Sequence, residues 1–185
     1  MSSADATHDA LTGLPNRREL YRVLKEFLQS SRQTGASLAA LVIDIDAFGH
    51  LNRSCGLQAG DQYLCDLANH LSRDMQPGEF AARYGGEIFC MLMGDVTLEC
   101  ATERAELLRK SVQAMYPPTT DIPPEMRRTI SIGAAVCNAQ EATSPESIIS
   151  AAFDLVCKAK RESGGNTVIA EQIFARDTDA GESHI

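Results

Sequence analysis

No apolar run in this 185-residue chain reaches the ~18–20 residues that a membrane-spanning helix needs. The polar start, Met1–His8, also lacks the basic and apolar regions of a signal peptide. These absences place the chain in the cytoplasm as an expectation. A basic surplus is missing too: 17 Lys plus Arg face 25 Asp plus Glu, a net charge of −8. Such a balance argues against a surface that grips duplex DNA or anionic lipid. The six cysteines, Cys55, Cys65, Cys90, Cys100, Cys137 and Cys157, show no C-x-x-C spacing, and the histidines are scattered. The cysteines therefore read as reduced, small apolar fillers rather than a disulfide framework or a zinc site. Repeats and low-complexity segments are absent as well. What remains is an ordinary globular composition, 44% hydrophobic and 23% charged, long enough to bury a full core as one domain.

Periodicity orders the chain. Leu20, Val23, Leu24, Phe27 and Leu28 recur at helical spacing over 17–31, after a Pro15-Asn16 turn. A strand is predicted over 38–44 and a helix over 58–73, with Leu64, Leu67, Ala68 and Leu71 on its buried face. Two strands, 81–84 and 88–93, flank Gly85-Gly86. A helix over 98–115 ends before Pro117-Pro118 and Pro123-Pro124, which form a surface loop. A strand over 128–136, a capped helix from Ser144 to about Lys160 and a last strand over 166–170 complete the pattern. The domain is expected over 9–172, between a linker at 1–8 and a polar, frayed tail at 173–185.

Two places carry chemistry. The segment Leu41-Val-Ile-Asp44-Ile-Asp46 is a nearly continuous apolar run that ends in two carboxylates, as expected of a buried central strand opening onto a site. Asp44 and Asp46 share one face by strand alternation, and oxygen ligands of this kind suit Mg²⁺ that is also held by phosphates. Capping of the following segment explains one of them equally well. About forty residues on, Gly85-Gly86 supplies the positive φ of a tight hairpin turn, lets backbone amides approach a ligand and sets Glu87 beside it. A Gly-Gly hairpin alone is more often structural than functional.

Taken together, Asp9-Ala-Leu-Thr-Gly-Leu-Pro-Asn-Arg-Arg18, Asp44-Ile-Asp46, Asn52 followed by Gly60-Asp61, Gly85-Gly86-Glu87 and Thr129-Ile-Ser-Ile-Gly133 resemble the GGDEF domain of diguanylate cyclases. The motifs occur in that family's order and cover roughly residues 9–170. The resemblance implies an α+β fold of βααββαβ order around a mostly antiparallel sheet flanked by helices, akin to the nucleotidyl cyclase and polymerase palm. It also implies condensation of two GTP to cyclic di-GMP and two diphosphates by a homodimer, because each half-site holds one reactant. By the same resemblance Asp44, the Ile45 carbonyl and Glu87 hold Mg²⁺ (or Mn²⁺), with Asp44 and Glu87 the catalytic pair. Asn52 and Asp61 read guanine, although a turn cap and a helix-start charge are their plainer explanations. The Gly85-Gly86 turn and the amides of Ala47 and Phe48 approach the substrate, and Lys160 contacts phosphate. The chain runs one residue longer than usual between that lysine and Gly165-Asn166. Family members are usually preceded by a sensor or receiver domain, which makes one an expected partner here.

Departures from the family pattern all touch chemistry. Ile88 stands where the fourth signature glutamate is usual, Gly49 where a phosphate-contacting lysine is, Arg53 where an aspartate is and Leu57 where a histidine is. Phe153 and Cys157 replace residues of further motifs. Gln76 lacks the arginine of the Arg-x-x-Asp product-inhibition motif that would end at Glu79, and glutamine cannot stack and pair as a guanidinium does. Losing a phosphate lysine weakens binding by about tenfold to hundredfold, and an apolar residue in place of a carboxylate costs about 10–100-fold in metal affinity or activity. The expectation is a cyclase whose turnover is reduced or lost, with a receptor for GTP or cyclic di-GMP as the alternative. A purely structural dimerisation domain ranks last, since it leaves Asp44, Glu87, Asn52 and Asp61 unexplained.

Overall fold

The computed structural model describes residues 7–116, 123, 126–138 and 144–173. In chain order the elements are α1 (Arg17–Thr34), β1 (Ser37–Ile45), α2 (Phe48–Cys55), α3 (Leu57–Asp74), β2 (Glu79–Gly85), β3 (Ile88–Gly94), α4 (Leu98–Gln113), β4 (Ile130–Asn138), α5 (Pro145–Ser163) and β5 (Val168–Gln172). From β1 to β4 this is the expected βααββαβ order. The five strands form one sheet, β2-β3-β1-β4-β5, antiparallel except for the β4–β5 pair.

The central place of β1 follows from its composition. Bonded on one side to β3 and on the other to β4, it is covered on both faces, which a continuous apolar run tolerates and an alternating one does not. Leu41, Ile43 and Ile45 face one core, packed by Leu51 of α2, Tyr63 and Leu67 of α3 and Leu108 of α4. Leu38, Ala40 and Val42 face a second core under α1 and α5. The helix predicted over 17–31 buries Leu20, Val23, Leu24 and Leu28 as its period requires. It starts at the Asn16 side chain, which accepts from the Glu19 amide, and stops at Gly35 in the left-handed region. α5 opens on a Ser144–Ser147 capping box and lies so close to β4 that a Cβ on Gly133 would stand 2.3 Å from both the Ala152 carbonyl oxygen and the Val156 nitrogen. This contact fixes the height of α5 over the sheet, and with it Lys160 in the last turn.

Several boundaries differ from expectation. The strand predicted over 128–136 runs 130–138, and the one predicted over 166–170 runs 168–172. In the second case Asn166 adopts φ 52° and its amide turns away to Asp46, so the strand cannot begin there. The short helix α2 escaped the periodicity reading because eight residues span barely two turns. Thr7 and His8, assigned to a linker, are tied in: the Thr7 carbonyl accepts from the Asn16 amide and His8 bridges Pro15. The tail beyond residue 173, linker residues 1–6 and most of the proline loop lie outside the described residues.

Candidate functional site

The β2–β3 turn is held in shape from below. Gly85 and Gly86 take φ 146° and 55°, conformations that cost a residue with a Cβ, and the space above both is open. Arg83 grips the turn from the strand before it, donating to the Gly86 carbonyl from Nε (3.2 Å) and Nη2 (2.8 Å). Its Nη1 reaches Asp9 at 2.8 Å, and Asp9 also accepts from the Thr12 amide and hydroxyl. The Pro15 carbonyl takes the Arg83 amide. The Asp9–Asn16 motif is therefore a clamp on the glycine hairpin, a role that its sequence does not announce. Although burial works the other way, the bonds from Arg83 and Thr12 hold the Asp9 carboxyl below its usual range.

Asp44 stands at the end of β1 directly opposite Ile88 of β3 and Ser131 of β4. Asp44, Ile88 and Ser131 thus form a row on the face that α5 covers. Glu87, half-buried, precedes Ile88, and its carbonyl accepts from the Ile45 amide at 3.5 Å. Lys160 of α5 brings a cation to this point. Its ammonium pairs with Asp44 Oδ1, lies 3.4 Å from the Ile45 carbonyl and 3.9 Å from Asp46 Oδ1. Asp44 Oδ1 is closed to solvent, and Lys160 is its ion-pair partner. Burial pushes the Asp44 carboxyl up, Lys160 opposes that, and Glu87 and Asp46 add to it.

Asp46 behaves differently from its neighbour two residues back. Its carboxylate accepts from the Thr129 hydroxyl (2.7 Å), the Ser131 hydroxyl (2.8 Å) and the Asn166 amide (2.7 Å). With those lone pairs engaged it fastens β1 to β4 and to the turn before β5. Gly165 lies against it, where a Cβ would stand 2.9 Å from the carboxylate carbon. Of the two acids that strand alternation put on one face, only Asp44 has an oxygen with a replaceable partner.

Beyond β1, Ala47 caps α2 in the left-handed region (φ 53°) and its side chain makes no capping bond. Phe48 is buried, and Asn52 packs on α3 where Gly60 leaves room: a Cβ on Gly60 would stand 1.9 Å from Asn52 Oδ1. That oxygen is buried with no hydrogen-bond partner among the described residues. A buried amide oxygen left so costs about 1–3 kcal/mol. Asp61 follows Gly60 and is exposed. The structure thus groups Asp44, the Ile45 carbonyl, Glu87 and Lys160 at the β1–β3 end, and Asn52 beside Gly60-Asp61 at the α2–α3 crossing.

The donors at the β1 end suit a hard divalent cation, because a carboxylate oxygen and a backbone carbonyl already converge there on a positive charge. Among the described residues no group of three His, Cys, Asp or Glu side chains is close enough to hold a metal alone. The remaining ligands would have to come from phosphate or water. Ile88 packs instead against the core under α1 and α5, as do Tyr84 and Phe153, whose rings meet edge-on at 4.9 Å, while Arg17 lies over the Tyr84 ring. Where the product-inhibition motif would end, Glu79 is clamped by Arg104 of α4 from Nε (2.6 Å) and Nη2 (2.9 Å), and Arg104 also binds Asp74. A cleft of about 760 Å³ lies among Phe27, Ser30, Gly94 and Asp95, at the end of the sheet opposite Asp44 and Ile88.

Comparison with known proteins gives the same picture. The family model described as "Diguanylate cyclase, GGDEF domain" matches residues 6–166. Diguanylate cyclase DgcM of Escherichia coli K12 is 34% identical over 165 residues, 89% of this chain and 38% of that protein. Response regulator PleD of Caulobacter vibrioides is 36% identical over 167 residues, 90% of this chain and 36% of PleD. The chain thus spans little more than a third of the length of these relatives. The GGDEF domain of DgcB from Caulobacter crescentus, solved with c-di-GMP, superposes with a TM-score of 0.81 at 30% identity, covering 91% of this chain and 94% of that one.

Proposed function

Because the chain belongs to the GGDEF-domain family of diguanylate cyclases, we propose that its site takes one GTP with a divalent cation and serves cyclic di-GMP signalling. The observation that carries this reading is the convergence of the Asp44 carboxylate and the Ile45 carbonyl on one cation, beside an open glycine turn. Asp44, the Ile45 carbonyl and Glu87 would hold Mg²⁺ or Mn²⁺. When bound, the metal neutralises phosphate charge and makes the attacking hydroxyl more acidic.

The chain's own residues do the rest. Asn52 and Asp61 orient guanine, whose adjacent N1 and N2 hydrogens suit a carboxylate acceptor. In this reading the Gly85-Gly86 turn, open above both residues, and the amides of Ala47 and Phe48 would approach the phosphates. Asp44 and Glu87 act as the catalytic carboxylates, and Lys160, paired with Asp44 here, would contact phosphate. Two copies facing each other, each presenting one GTP, would form cyclic di-GMP and two diphosphates. A sensor or receiver partner and a cytoplasmic location belong to the same reading. Among the described residues no helix is long and apolar enough to cross a membrane.

Ile88 favours a second reading, in which the module binds GTP or cyclic di-GMP and turns over slowly or not at all. It faces Asp44 across the β1–β3 pair with an apolar side chain where a carboxylate would have added charge to the site. Incubating the purified chain with GTP and Mg²⁺ and resolving the nucleotides by chromatography separates the two. Conversion to cyclic di-GMP supports the enzyme; unchanged GTP together with saturable cyclic di-GMP binding supports the receptor.

A further inference from the structure

Every Cα–Cβ bond of an α-helix tilts toward the N-terminus, so a long side chain at i+4 runs back over residue i. In α2 that pair is Gly49 and Arg53. With no side chain at 49, the Arg53 guanidinium has settled over the glycine: Nη1 is 3.3 Å from where a Cβ on Gly49 would stand. Arg53 is otherwise exposed and makes no hydrogen bond or ion pair among the described residues. The first turn of α2 contains no acid that would draw it there.

The other cation nearby, Lys160, sits at the β1 end against Asp44 and the Ile45 carbonyl, whereas Arg53 stands on α2. An unpaired guanidinium thus lies beside the first turn of α2, which no side chain caps. We propose that Arg53 supplies the phosphate-binding cation that Gly49 lacks, so that the terminal phosphates of a bound nucleoside triphosphate lie between Arg53 and the amides that begin α2. Glycine at 49 and arginine at 53 are then one paired feature rather than two separate losses, and it rests on the reading of the site as a GTP site. A guanidinium also suits this place because its planar fork meets two phosphate oxygens at once.

The test measures GTP and GMP binding by calorimetry with Mg²⁺ for the unmodified chain, Arg53→Gln, Arg53→Lys and Asp44→Asn. Arg53→Gln is expected to weaken GTP by about tenfold to hundredfold and to leave GMP, which lacks the terminal phosphates, within twofold. Arg53→Lys should retain part of the loss, and Gly49→Lys combined with Arg53→Asp should recover GTP affinity. Arg53→Gln binding GTP within twofold of the unmodified chain, while Asp44→Asn loses it, overturns the role of Arg53 and leaves the site intact. Failure of the unmodified chain to bind GTP at all overturns both. Circular dichroism of each variant excludes misfolding, and exposure of residue 53 on a short helix makes that control straightforward.

Discussion

The ammonium of Lys160 and the carboxylate of Asp44 form an ion pair across the α5–β1 packing, with the Ile45 carbonyl 3.4 Å from the same nitrogen. The lysine thus stands where the resemblance places a divalent metal. Removing it should expose that position to metal. Lys160→Met is expected to raise Mn²⁺ affinity without nucleotide by about tenfold or more, the scale of a charge-assisted contact. It should also weaken GTP binding, because the cation that would follow the phosphates is gone. Mn²⁺ titration followed by paramagnetic resonance reads the first effect, and an unchanged metal affinity would show that Lys160 does not compete for this position.

Ile88 is the cross-strand partner of Asp44 on the same face, where side chains of neighbouring strands lie about 4.5–5.5 Å apart. Ile88→Glu therefore places a new carboxylate beside Asp44, not merely next to Glu87 in sequence. If the missing group acts in the transition state, the substitution raises kcat for cyclic di-GMP at saturating GTP, by about 10–100-fold, and leaves KM nearly unchanged. Initial rates across a GTP series test it. An unmodified chain already as fast as the variant would make Ile88 neutral.

Asp9 and Arg83 join the opening motif to the glycine hairpin through a 2.8 Å ion pair with side chains 26% and 11% exposed. Asp9→Asn should cost about 1.5–3 kcal/mol, the range for hydrogen bonds to a charged group, and lower Tm by several degrees. The pH dependence has a definite sign. The folded-state pKa of Asp9 lies below its ordinary 3.8, so its contribution is complete above 3.8 and is lost as pH falls through the lower folded value. Unfolding curves of the two proteins should therefore converge only in acid. A constant gap down to the lowest pH would mean that the charge of Asp9 is irrelevant.

Much of the fold was legible because two signals coincide in this chain. A continuous apolar run identifies β1 as doubly covered, and the helical spacing of Leu20 through Leu28 identifies α1. Local pattern could not reveal the partners of Asp46, because Thr129, Ser131 and Asn166 come from 83 to 120 residues away. The function of Arg83 was hidden for the same reason: its acceptors are Asp9, 74 residues earlier, and a backbone carbonyl that carries no side-chain signal. At Gly49 and Arg53 the sequence shows two departures from a family pattern. Only the helix geometry shows that one fills the space left by the other.

The proposed site is guanine-selective and metal-dependent, built from Asp44 and Glu87 at one end and Asn52 and Asp61 at the other. Calorimetric titration of the chain with GTP and with ATP, each with and without Mg²⁺, tests it most directly. GTP is expected to bind more tightly than ATP and only with the cation, and Asp44→Ala or Glu87→Ala to abolish its binding in a protein of native circular dichroism. Equal affinities for the two nucleotides, or GTP binding indifferent to Mg²⁺, would contradict it.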